Sequence, residues 1–245
     1  MRSAIMVTAR MKSTRLPLKV TKDIQGKPMI VHMLDRLKLA KRPELIVICT
    51  STNPQDDILA EIAKEQGVAC YRGSEEDVLS RVTEAARKYK ADIVVSCTAD
   101  NPFVDPVYVD KVIDFHVKKK NDFTKINGLP FGAFSYAVSA IGMEKVCELK
   151  DENDTEVWGT YFTETGLFKC GALEVEEEYL RRPELRLTVD TPDDFRLVTE
   201  IFKLLYKPGR IFPLKDIIRV IDENPYLQTI NSHIEQKRGI PIKLK

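Results

Sequence analysis

Four short, continuous apolar runs, each followed by a stretch of helical spacing, constrain this chain more than any other feature. The runs are residues 4–8 (AIMVT), 45–49 (LIVIC), 68–71 (VACY) and 92–97 (DIVVSC). After them, residues 28–40, 56–66, 75–89 and 106–120 carry apolar side chains at helical intervals. Boundary signals agree: Pro28 suits a first helical turn, Gly67 a C-terminal stop, and Asp105 an N-cap. Strands without polar alternation, interleaved with helices, predict an α/β fold whose mostly parallel sheet is covered on both faces. Such sheets bind ligands in the crevice beyond the carboxyl ends of their strands, so the residues after each strand are the first place to look.

The second half is less regular. Residues 121–190 hold a Gly/Pro loop at 127–132, β-like runs at 133–139, 169–174 and 186–189, and a helical segment at 142–149. Helical spacing returns at 192–206 and 214–224. Residues 230–245, with Arg238, Lys243 and Lys245, read as a surface extension. The pattern predicts one domain over 1–245, with an inserted subregion at roughly 127–185.

Thirty-eight Lys and Arg against 37 Asp and Glu leave a net charge of +1. A near-neutral chain has no general grip on nucleic acid or an anionic membrane, so any anion recognition must be local. No run approaches the ~18 apolar residues of a membrane span, and the apolar stretch after Met1-Arg2-Ser3 is too short for a signal peptide. The five cysteines (49, 70, 97, 147 and 170) never form a Cys-x-x-Cys spacing. They read as reduced, largely buried thiols, which implies the cytoplasm.

Local anion recognition has an obvious place. Residues 9–19 (ARMKSTRLPLK), directly after the first strand, hold Arg10, Lys12, Arg15 and Lys19 with the hydroxyls of Ser13 and Thr14. Arginine offers forked bonds to phosphate oxygens and lysine a mobile point charge. The segment has neither the P-loop spacing nor Gly-x-Gly-x-x-Gly. A second segment, 96–105 (SCTADNPFVD), puts Asp100 just past another strand. A carboxylate there suits Mg²⁺ beside a phosphate, although Asp-Asn-Pro is also good turn chemistry. In a third, 187–195 (LTVDTPDDF), Thr191 with Asp193 and Asp194 accounts for a helix start, which leaves Asp190 free to join Asp100 at a metal.

Taken in order, ARMKSTRLPLK, YRGSEEDVLSR (71–81), TADNPFVDP (98–106) and RLTVDTPDDF (186–195) resemble the CMP-sugar-type cytidylyltransferases, and within them the SpsF-like spore-coat polysaccharide branch. The resemblance covers about residues 1–205. It implies a nucleotidyltransferase fold and Mg²⁺-dependent transfer of CMP from CTP to a small acceptor, with loss of pyrophosphate. By motif match, Arg10, Arg15 and Lys19 would be catalytic. Ala9, Ser13, Thr14, Arg72 and Ser74 would bind the nucleotide, and Asp100 and Asp190 the metal. A homodimer formed through the inserted region is implied as well.

Two departures from the family pattern stand out. Lys12 and Leu18 occupy positions where relatives often carry glycine. Residues 131–136 (FGAFSY) and 154–159 (DTEVWG) replace an acidic and a His-containing stretch in the region that selects the acceptor. The acceptor therefore stays open between a keto-deoxy sugar acid and a phosphorylated sugar, polyol or amino acid. A glycosyltransferase of related fold is the rival enzyme, but it commonly needs Asp-x-Asp where this chain has Asp100-Asn101-Pro102. A silent nucleotide-binding module is the non-enzymatic rival. His32, His116 and His233 read as structural or surface residues, and Trp158, Tyr161 and Phe162 as core or dimer contact.

Overall fold

β1 (Ser3–Thr8) is threaded between β4 (Leu45–Ser51) and β6 (Ile93–Thr98), parallel to both. The computed structural model describes residues 1–153, 155, 157–236 and 242–245, so Asp154, Glu156 and Arg238 lie outside the described residues. β5 (Ala69–Gly73) extends the sheet beyond β4. On the far side stand β8 (Tyr136–Ser139), β7 (Phe123–Asn127) and β9 (Cys170–Glu174), which complete the order β5-β4-β1-β6-β8-β7-β9. β8 runs antiparallel to both neighbours and β9 parallel to β7. A short hairpin, β2 (Asp23–Ile24) with β3 (Lys27–Pro28), leads into the first helix.

The helices cover both faces because successive side chains of β1 point to opposite sides. Ile5 and Val7 pack with α1 (Met29–Leu37), α2 (Asp57–Glu65) and α4 (Pro106–Lys119). Ala4 and Met6 pack with α3 (Val78–Tyr89), α5 (Ala140–Leu149) and the short α6 (Thr160–Thr163). All four β1 side chains are fully buried, each large one worth roughly 1.5–3 kcal/mol of transfer free energy. A third cluster joins Phe103 and Tyr108 to α7 (Pro192–Leu205), α8 (Leu214–Glu223) and α9 (Tyr226–Thr229). Trp158, Tyr161 and Phe162 are buried in the second cluster, as core. Burial pushes the Cys49 and Cys97 thiols up to about 12. No helix among the described residues is long and apolar enough to cross a membrane.

The structure departs from the sequence reading in three places. Residues 75–77 stay outside α3, because Asp77 caps it by accepting the Ser80 amide at 3.0 Å. Residues 186–189 are a connector rather than a strand. Arg186 makes one bridge to Phe131, and the Val189 amide donates to the Asp100 carbonyl at 2.8 Å. β7 went unread, because Lys125 and Asn127 interrupt its apolar character. The stretch 127–185 supplies β8 and β9, so it builds the sheet itself.

Candidate active site

In the run β5-β4-β1-β6, the chain moves from β1 one way to β4 and β5 and later returns on the other side as β6. The strand order reverses beside β1, and a crevice opens there at the carboxyl ends. A cavity of about 320 Å³ fills it. Ala9, Arg10, Lys12, Ser13, Thr14, Arg15 and Lys19 line it from the loop after β1, and Thr98 and Asp100 from the end of β6. Glu76 comes from the turn before α3, Val78 and Arg81 from its first turn, and Asp190 from the approach to α7.

The two aspartates, 90 residues apart in the chain, share one ammonium. Lys19 Nζ donates to Asp100 Oδ2 at 2.8 Å, to Asp190 Oδ1 at 3.0 Å and to the Val189 carbonyl at 3.0 Å. Arg15 Nη2 reaches the same Asp190 oxygen at 3.0 Å. Burial alone would lower the Lys19 ammonium, but Asp100 and Asp190 outweigh it and raise it. Burial would likewise raise the Asp190 carboxyl, yet Lys19, Arg15 and Arg186 together hold it below the usual carboxylate range.

The wall behind Asp190 was not legible in the sequence. Arg186 Nη2 donates to Asp190 Oδ2 at 2.9 Å, and its Nε to Asp194 Oδ1 at 2.9 Å. Asp194 is completely buried. It closes the capping box with Thr191 and also accepts the Asp190 and Thr191 amides at 3.0 Å. Asn231 adds a bond to Asp194 Oδ1 at 2.9 Å and one to the Arg186 carbonyl at 3.0 Å. Gly132, at φ +97°, lets the 127–132 loop press on this segment, where a Cβ would lie 2.5 Å from the Thr188 nitrogen.

The cationic loop is tethered more lightly. The Met11 amide donates to the buried Asp56 at 2.8 Å. Arg10 Nη1 donates to the Glu75 carbonyl at 2.9 Å and stands 3.6 Å from Glu76, which Lys12 meets at 3.0 Å. Leu18 takes the left-handed backbone, φ 57° and ψ 22°, to turn the chain into Lys19. A non-glycine residue in that region is strained, and this is a position where glycine was anticipated.

Arg72 and Ser74 do not reach the cavity. The Arg72 guanidinium is committed to the Ser51 and Asn53 carbonyls and to Asp57. Ser74 Oγ accepts the Asp77 amide. Instead the same motif delivers Arg81, its last residue. Arg81 is 1% exposed, lines the cavity, and has a buried Nε with no hydrogen-bond partner among the described residues. Burial lowers its guanidinium.

No cluster of three or more His, Cys, Asp or Glu side chains close enough to hold a metal occurs among the described residues. Two carboxylates beside a cation-rich loop suit a divalent ion that takes its other ligands from phosphate and water, which is how Mg²⁺ is usually held.

Residues 4–195 match the profile of the cytidylyltransferase family. The spore coat polysaccharide biosynthesis protein SpsF of Bacillus subtilis is 32% identical over 90% of this chain and 94% of its own. A cytidylyltransferase structure from Leptospira borgpetersenii superposes with a TM-score of 0.84 at 28% identity, covering 93% of this chain and 97% of that one. The structure of CMP:2-keto-3-deoxy-manno-octonic acid synthetase complexed with CTP shares the fold, with a TM-score of 0.64 at 16% identity, over 83% and 99% of the two chains.

Proposed function

The chain belongs to the cytidylyltransferase family, and from that premise we propose that it moves CMP from CTP to an oxygen of a sugar-acid or phosphorylated acceptor and releases pyrophosphate. The observation that carries this reading is the Lys19 ammonium shared by Asp100 and Asp190 at the mouth of the cationic loop. Five cations meet three carboxylates among the described residues of one cavity, a charge pattern suited to a polyphosphate with a divalent ion.

Arg10, Arg15 and Lys19 hold the triphosphate and stabilise the charge that grows on the departing pyrophosphate. Ala9, Ser13 and Thr14 offer further donors along the same loop. Asp100 and Asp190 hold Mg²⁺, which when bound neutralises phosphate charge. The acceptor oxygen attacks the α-phosphorus; the bond to the β-phosphate bridging oxygen breaks, and that oxygen keeps the electron pair. The protein's contribution is positioning and electrostatics: a phosphate oxygen of the acceptor attacks already ionised, and a sugar hydroxyl gives up its proton to solvent.

The product feeds polysaccharide or glycoconjugate synthesis, a reading supported by the name of the Bacillus relative. The stretch 127–185 selects the acceptor and pairs two copies. Ile141, 80% exposed, and Leu167, 50% exposed, lend support to that pairing. The chain acts in the cytoplasm, in keeping with its scattered free cysteines.

The test is pyrophosphate release from CTP and Mg²⁺ across a panel of keto-deoxy sugar acids and phosphorylated metabolites. One acceptor should give turnover that Arg15→Ala lowers by roughly a hundredfold. CTP binding without pyrophosphate from any acceptor would instead favour a silent nucleotide-binding module.

A further inference from the structure

A second cavity, of about 290 Å³, lies between α1, α7 and the segment before α8, and shares no lining residue with the first. Its chemistry is unlike that of a packing void. The rings of His32, Phe202, Tyr206 and Phe212 wall it, and Arg36 and Arg210 face it.

Arg36 is the unusual member. Its residue is 3% exposed, yet no carboxylate lies within ion-pair distance of it among the described residues. The one hydrogen bond of its guanidinium among them runs from Nη2 to the Phe212 carbonyl at 2.7 Å. The guanidinium otherwise rests on rings, 5.2 Å from the Phe212 centroid and 5.9 Å from that of Phe103. Asp105 acts on it only at longer range, and that carboxylate already accepts the Val107 and Tyr108 amides. Burial lowers Arg36 to about 10, so it stays charged at neutral pH.

A buried cation without a counter-charge is unfavourable unless a partner arrives. The other charges cannot supply one. Asp35, the only carboxylate of the lining among the described residues, is held by Lys27 at 2.6 Å and approached by Lys38 at 3.8 Å. Arg210 stands exposed at the rim with no ion pair among the described residues. His32 donates Nε2–H to the Ile24 carbonyl at 2.7 Å, and an imidazole carries no negative charge to offer.

We propose that this cavity binds a small anion carried on a flat ring, the anionic group meeting Arg36 and Arg210 and the ring lying against the edge of the packed Phe202–Tyr206–Phe212 cluster. Charge complementarity selects the anion, and the aromatic walls select its carrier.

Calorimetric titration of the full-length chain with phenyl phosphate and with benzoate tests this, the two probes separating phosphate from carboxylate. Binding of either supports the proposal if Arg36→Met weakens it by roughly tenfold and Arg210→Glu by roughly fivefold. Arg15→Ala, in the first cavity, should leave it intact. Circular dichroism checks that Arg36→Met still folds, and if it does not, the exposed Arg210→Glu decides alone. Absence of binding by both probes at millimolar concentration overturns the proposal. So does binding untouched by Arg210→Glu, or binding lost in Arg15→Ala.

Discussion

The two walls of the first cavity are built differently. Asp190 stands on a buried scaffold in which Arg186, Asp194 and Asn231 satisfy one another and the adjacent amides. The loop opposite is held largely by half-exposed acidic partners, exposes much of Lys12 and Arg15, and turns through a left-handed Leu18. A carboxylate that must hold a divalent ion gains from fixed geometry, since reorganisation during the reaction would cost catalysis. A loop that must close around a flexible triphosphate gains from charges with weak, replaceable partners. Glu75 and Glu76 are such partners for Arg10 and Lys12.

The largest effect that would sharpen this contrast is on the rigid wall. Asp190→Ala should lower pyrophosphate release by at least roughly a hundredfold at saturating CTP and Mg²⁺, with the circular dichroism spectrum retained. Arg186→Gln comes next. It leaves the fully buried Asp194 without its cation, so chemical denaturation should read a loss of roughly 3 kcal/mol. It also frees Asp190, so the Mg²⁺ concentration needed for half-maximal turnover should rise. Unchanged stability together with an unchanged Mg²⁺ requirement would erase the distinction between the walls.

Relaxing the loop's tethers, as opposed to removing its phosphate-binding arginines, gives smaller effects of opposite sign. Glu76→Gln removes an exposed competitor for Arg10 and Lys12, so the KM for CTP should fall by about two- to fivefold. A rise in KM would mean that Glu76 organises the loop. Smallest of all, Leu18→Gly relieves the left-handed strain but adds freedom to the unfolded chain. The balance should leave the protein about 0.5 kcal/mol more stable, as read by denaturation midpoint.

Legibility in the sequence follows the same division. The central strands read clearly, because β1, β4 and β6 are buried on both faces and so carry unbroken apolar runs. The cationic loop read clearly too, because its charges are contiguous. The caps at Asp105 and Thr191 were legible because capping is a local interaction. Arg186–Asp194–Asn231 was not, since its bonds join a connector, a helix start and a segment 37 residues further on. Arg72 shows that closeness in a motif does not say where a side chain points, for it turns back to Ser51 and Asn53. β8 was legible within the β-like run 133–139, but its antiparallel pairing was not, for a related reason. Its neighbours in the sheet, β6 and β7, are not set by its own pattern.

The central claim is that a CTP triphosphate lies between the cationic loop and the Asp100–Asp190 pair. A crystal structure of the protein grown with CTP and Mg²⁺ tests it most directly. The account predicts phosphate oxygens on Arg10, Arg15 and Lys19, with Lys19 drawn off at least one of the two carboxylates that it now bridges. Nucleotide bound elsewhere, with Lys19 still clamped between Asp100 and Asp190, would contradict it.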